Sequence, residues 1–240
     1  MKVLQILPQL NIGGVERGTL DLSKALIQEG HESFVISGGG ILVDELEQFG
    51  AKHYEIPVHI KSLRTLSLAK SLSETISSID PDIVHVRSRM PAWVNFRAFK
   101  KLQKKPLLIS TFHGLYSFPI YSKVMSFVDH SIAISKTVEN YILENYKLDK
   151  NNITVIPRGC DPVEFNNNEI NPDDKAKIIN EFPKIVGKKV LTIPGRITKW
   201  KGVAEFIELL SLLDDNYHGL IVGPTAKSKK KYLNKLQNKV

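Results

Sequence analysis

Short runs of consecutive apolar residues alternate along this chain with stretches whose apolar positions recur every three or four residues. Val3, Leu4, Ile6 and Leu7 predict a strand buried on both faces, ended by Pro8. Gly13 and Gly14 follow. A helical stretch comes next, with Leu22, Ala25 and Leu26 facing inward, Ser23 and Lys24 facing outward, and Gly30 as the glycine past its end. The same alternation predicts strands at 34–36, 54–56, 82–86, 107–111, 131–134 and 153–156. Helices are predicted at 43–49, 66–79, 92–102 and 135–146, with Asp80-Pro81 stopping the second and Ser135 capping the last. Buried strands alternating with helices imply an α/β fold: a doubly wound, Rossmann-like parallel sheet covered on both faces.

The pattern changes near residue 166, where asparagines and a proline gather. Residues 1–166 are read as one domain and 167–183 as a linker. Residues 184–240 begin a second, incomplete Rossmann-like domain, with strands at 190–193 and 220–222 and helices at 204–213 and 227–236. Two strands and two helices are few for a doubly wound domain of its own.

Composition sharpens this only in places. With 240 residues, the chain holds one large or two small domains. No apolar run approaches the roughly 18 residues of a membrane span. Met1-Lys2 leads straight into a strand, so no leader peptide is expected, and the single Cys160 allows no intrachain disulfide. A cytoplasmic location is the expectation. The net charge of +8 is unevenly placed: 12 of the 33 Lys and Arg but only four of the 25 acids lie from Lys184 onward, six of those lysines between 227 and 239. A basic end can meet nucleic acid or anionic lipid, or can be a solvated helix face. Without interleaved aromatics to stack on bases, the solvated face is favoured and no nucleic acid partner is expected.

Several groups of residues could carry chemistry. Residues 194–202, PGRITKWKG, follow a strand and open a helix, with Arg196 and Lys201 flanking a loop of free N–H groups. That combination suits a diphosphate, although a solvated turn with surface cations has the same letters. Gly13-Gly14 is either a phosphate-approaching loop or a tight turn. His113, Arg87, Arg89 and Arg158 all lie just past strand ends, where doubly wound proteins hold ligands; for His113 a wet loop is the competing reading. A dinucleotide fingerprint is excluded, because Val15 stands between Gly13 and Gly18 and no acid ends the second strand. No P-loop, zincin, zinc-ligand or hydrolase-elbow spacing occurs.

Taken in order, these motifs resemble glycosyltransferases of family 4, with the two-domain GT-B fold, over nearly the whole chain. The resemblance rests on Gly13-Gly14, Leu22-Ser23-Lys24-Ala25-Leu26 and Gly30-His31, then on Asp82-Ile83-Val84-His85 and Thr111-Phe112-His113-Gly114. It continues through Ile156-Pro157-Arg158-Gly159-Cys160-Asp161 and Pro194-Gly195-Arg196 to Lys201-Gly202. It is strongest toward the bacterial branch linked to lipopolysaccharide and other cell-surface glycans. It implies a nucleotide-diphospho-sugar donor, with Arg196 and Lys201 on the diphosphate, Gly13 and Gly14 approaching that diphosphate, and His113 facing the transferred sugar. It further implies retention of configuration, no bound metal or other cofactor, and a glycan or lipid-linked acceptor. Lys100, Lys101, Lys104 and Lys105 with Arg97 then suggest a peripheral contact with the inner face of an anionic membrane.

The departures carry their own expectations. The family's Glu-x7-Glu motif does not follow Lys201-Gly202, and Arg158 and Cys160 stand where many members have Asn and Val. The chain alone is therefore expected not to turn over. Three readings stay open: a sugar transferase or part of one, a non-catalytic remnant or binding module needing a separate second half, and a basic interaction protein.

Overall fold

The computed structural model describes residues 1–60, 62–116, 119–162, 165–166, 171–225 and 230–239. The chain divides into two compact units, Met1–Gly159 and Cys160–Val240. The first contains β1 (Lys2–Ile6), α1 (Gly14–Gln28), β2 (Glu32–Ser37), α2 (Val43–Gln48), β3 (Lys52–Glu55), α3 (Ala69–Ile79) and β4 (Ile83–Val86). It continues with α4 (Arg89–Phe99), β5 (Leu107–Phe112), α5 (Pro119–Ser122), β6 (His130–Ala133), α6 (Lys136–Tyr146) and β7 (Ile153–Val155). Its seven strands form one parallel sheet in the order β3-β2-β1-β4-β5-β6-β7. This is the doubly wound architecture that the alternation predicts.

The apolar runs work because side chains alternate between two covered faces. Leu4, Ile6, Phe34, Ile36, Val84 and Val86 enter the larger core with Leu72 and Ile76 of α3 and Ile142 of α6. Val35 points the other way, into a smaller core with Leu20 of α1 and Leu46 of α2. Local signals act as read: Ser135 accepts from the Val138 amide at the start of α6, and Asp80 ends α3 in the left-handed region. The helix expected from 92 begins earlier, at Arg89. Ser88 is extended there, and Pro91 in the first turn removes no helix bond.

The inward face of α1 is corrected. Its buried residues are Thr19, Leu20 and Ser23, while Leu22 and Leu26 are half-buried and Ala25 is exposed. Ser23 lies inside because it has polar company: its Oγ accepts from Gln5 Nε2 at 2.9 Å and from Ser33 Oγ at 3.0 Å. A buried hydroxyl with two partners incurs little of the desolvation penalty that makes serine an outward residue.

The second unit contains α7 (Pro172–Glu181), β8 (Lys189–Pro194), α8 (Val203–Leu210), β9 (Tyr217–Val222) and α9 (Lys230–Gln237). β8 and β9 pair in parallel, and Ile197, Val203, Ile207 and Leu236 form a small core. Most of the expected linker segment is the helix α7, capped by Asn171 with Pro172 in its first turn. Residues 167–170 of that segment, and Lys227 and Lys229 of the basic helix, lie outside the described residues.

Candidate functional site

Strand order reverses between β1 and β4, and the crevice beyond the carboxyl ends at such a reversal is where ligands bind in this architecture. The loop from β1 to α1 carries Gly13 and Gly14; Arg87 follows β4 directly; His113 follows β5; Arg158 follows β7.

Gly13 is extended, with φ 174°, and Gly14 starts the helix; neither lies in the left-handed region. The tight-turn reading would have required glycine for its backbone, and this turn does not. A Cβ on Gly14 would meet nothing within 4 Å, and the three atoms nearest to one on Gly13 all belong to the movable end of Glu16. The space over the α1 N-terminus is open to something that approaches the main chain closely.

Arg158 ties three strand ends together. Its Nη1 donates to the Gly14 carbonyl at 2.9 Å, and its Nη2 lies 2.9 Å from His113 Nδ1. The guanidinium lies against α1 at Gly18, where a Cβ would come within 2.2 Å of Nη1 and 3.3 Å of Arg87 Nη2. Gly18 is thus part of the site and was not singled out from the sequence, where it appears only as half of a failed dinucleotide pattern.

Arg87 is buried, 5% exposed, and donates from Nη1 to Gln5 Oε1 at 2.6 Å; its Nε has no partner. Gln5, also fully buried, passes the contact on to the Thr19 carbonyl at 3.2 Å and to Ser23. Burial, then the nearby Arg158, pull the Arg87 guanidinium down to about 10, so it stays charged at neutral pH, helped by Asp21 and Glu16. Beside it, His85 Nε2 and Thr111 Oγ1 are 2.7 Å apart in the sheet interior. Burial, then Arg87 and His113, hold His85 well below the usual histidine range. A polar residue inside an apolar strand run, Gln5 or His85, is the sequence signal that marks this network.

Arg89 does not join that group. It begins α4 and stacks over Tyr116 at 4.8 Å and Tyr121 at 5.4 Å. Arg196 and Lys201 lie in the second unit, both exposed, in the segment between β8 and α8; Lys201 sits 5.3 Å from the Trp200 ring. Gly202, with φ 73°, turns the chain into α8. Among the described residues no three His, Cys, Asp or Glu side chains gather as a metal cluster, and no helix is long and apolar enough to cross a membrane.

His113 is neutral across the physiological range: burial first, then Arg87 and Arg158, bring it down to about 3. Because the folded value lies below the ordinary 6.5, the unfolded chain takes up more protons between the two. Stability is therefore full above pH 6.5 and is lost as pH falls toward 3. At pH 5 His113 alone accounts for about 2 kcal/mol of that loss, and His85 adds in the same direction. Urea midpoints are expected to drop from pH 7 to pH 5 in the wild type and to drop less in His113→Gln; equal drops would contradict this.

Residues 12–164 match the family described as Glycosyltransferase Family 4. An uncharacterized glycosyltransferase, MJ1069, of Methanocaldococcus jannaschii is 33% identical over 148 residues, which is 54% of this chain and 36% of the relative. A glycosyltransferase structure from Rickettsia africae is 33% identical with a TM-score of 0.83, covering 99% of this chain and 64% of that one. Anabaena Alr3699/HepE, solved with UDP and glucose, shares the fold at 19% identity and a TM-score of 0.80, covering 100% of this chain and 65% of that one. The chain thus spans about a third of that curated relative and just under two thirds of these solved structures.

Proposed function

From the premise that the chain belongs to glycosyltransferase family 4, we propose that it serves the transfer of a sugar from a nucleotide-diphospho-sugar to a cell-envelope glycan or lipid acceptor, with retention of configuration. The observation that carries this reading is His113, a neutral ring whose buried Nε2 has no partner, held among Arg87, Arg158 and the open α1 N-terminus. Breaking a sugar–diphosphate bond places growing negative charge on the leaving phosphate. Fixed cations and N–H dipoles stabilise such charge without reorganising. Gly13 and Gly14 fit the role because their main chain is open and their φ values do not otherwise demand glycine. Arg196 and Lys201 are assigned to the diphosphate, among the described residues without an ion-pair partner of their own. The chemistry needs neither a metal nor an organic cofactor in this reading. UDP-glucose is the first donor to test, since HepE was solved with it.

Calorimetric titration of a panel of nucleotide sugars tests the reading. Arg196→Ala and Lys201→Ala are each expected to weaken binding roughly tenfold, the worth of one charge-assisted phosphate contact. Identical isotherms for wild type and both variants, or no binding of any donor, would overturn it.

A lipid-linked acceptor also bears on location. Lys70, Arg97, Lys100 and Lys101 line one groove between α3 and α4. Lys100 sits 4.4 Å from the Phe96 ring, and Lys104 pairs with Asp80 at 2.8 Å. Weak binding to anionic vesicles is expected, fading as salt screens charges beyond about 8–10 Å. Equal sedimentation with neutral vesicles would count against a membrane contact.

A further inference from the structure

We propose that Arg158 is a positioning residue: seated in the gap over Gly18, it holds the His113 ring with Nδ1 as acceptor and so leaves Nε2–H as the ring's free donor. The proposal rests on the sugar-transfer reading only for what that donor finally meets.

The argument starts from what a guanidinium can do. It carries five N–H donors and no acceptor, and it stays protonated in proteins. At 2.9 Å from Arg158 Nη2, His113 Nδ1 must therefore accept. A ring protonated on both nitrogens, or on Nδ1 alone, would turn N–H against N–H. The neutral ring then carries its proton on Nε2, and that nitrogen is buried without a partner. A buried donor left unsatisfied in the unliganded protein is costly, and a ligand oxygen relieves the cost.

The guanidinium is itself fixed at a second point. Nη1 donates to the Gly14 carbonyl at the first turn of α1, so one side chain spans the ends of β5, β7 and the β1–α1 loop. Gly18 supplies the room. It lies inside α1 without positive φ, where glycine is a weaker helix former than alanine. Its backbone does not require glycine, but a Cβ there would stand 2.2 Å from Nη1.

Electrostatics agree with the geometry. The charged groups acting on His113 are Arg87 and Arg158, and each resists a second proton on the ring; His113 in turn acts on His85 of β4. Glu16 and Asp21 of α1 act on the two arginines and keep them charged.

Ring-nitrogen NMR on the 240-residue protein labelled with ¹⁵N-histidine tests this without any substrate. The His113 signals are assigned by their loss in His113→Gln. The wild type is expected to show protonated Nε2 and bare Nδ1 at pH 6 to 7. Arg158→Met should move the ring shifts toward a mixture of both tautomers and raise the pH at which the ring titrates. Arg158→Lys, which keeps a cationic donor, should retain the Nε2–H form. Gly18→Ala should imitate Arg158→Met with no change of charge, and it covers the case in which Arg158→Met folds poorly. Either variant keeping wild-type ring shifts would overturn the proposal, as would a wild-type ring protonated on Nδ1. Donor titration reads a different event, so failure of the sugar-transfer reading and failure of this one are distinguishable.

Discussion

Gln5→Leu is expected to destabilise the N-terminal unit by about 1.5–3 kcal/mol, the usual worth of a hydrogen bond to a charged group. For a domain of this size that lowers the melting temperature by roughly 5–10 °C. The reason is the position of Gln5. It is the next-to-last residue of β1, fully buried, and its amide works in both directions: Oε1 receives Arg87 Nη1, while Nε2 serves Ser23 and the Thr19 carbonyl. Leucine fits the volume and the strand, so apolar packing alone would predict a neutral change. The loss comes from the guanidinium, which is 5% exposed and has no other hydrogen bond to fall back on among the described residues. The double variant Gln5→Leu/Arg87→Met removes the stranded charge and is expected to recover at least half of the loss. Thermal melts of the three variants decide it. A double variant no more stable than Gln5→Leu would show that shape, not buried charge, is at issue.

The same residue explains what was legible in the sequence. Strands buried on two faces announce themselves as apolar runs, and the seven expected strands join one parallel sheet because local burial and the βαβ winding agree. The inward face of α1 misleads, since Ser23 is inside through hydrogen bonds from Gln5 and Ser33 that no periodicity encodes. The site divides likewise. Positions past strand ends can be read from spacing, and His113, Arg87, Arg158 and Gly14 are indeed brought to one end of the sheet. Which of them touch cannot be read, because residues 14, 113 and 158 meet only when the sheet is built. Arg89 shows the converse: two positions from Arg87, it is turned by the start of α4 onto Tyr116 and Tyr121.

In the proposed transfer reaction, assayed with a separate second half supplied where the chain alone does not turn over, His113→Ala is expected to reduce the rate about 100-fold, the typical loss on removing one preorganised hydrogen-bond donor. His113→Gln should retain a measurable part of the activity, and this contrast identifies the role. A ring brought down to about 3 by burial, Arg87 and Arg158 is not poised to exchange protons near neutral pH. Its Nδ1 is engaged by Arg158, so only Nε2 remains to meet a substrate. A glutamine amide can place an N–H near the Nε2 position but cannot act as a base. A general base would leave both variants equally dead, and it would put an inflection near the catalytic pKa into the pH–rate profile. A donor leaves Gln partly active, and the profile carries no His113 inflection between pH 5 and 8. Transfer from the nucleotide sugar chosen by the titrations, followed for wild type, His113→Ala and His113→Gln over that range, separates the two. Equal inactivity of the variants, together with a wild-type inflection that both of them lose, would replace the donor role with acid–base chemistry.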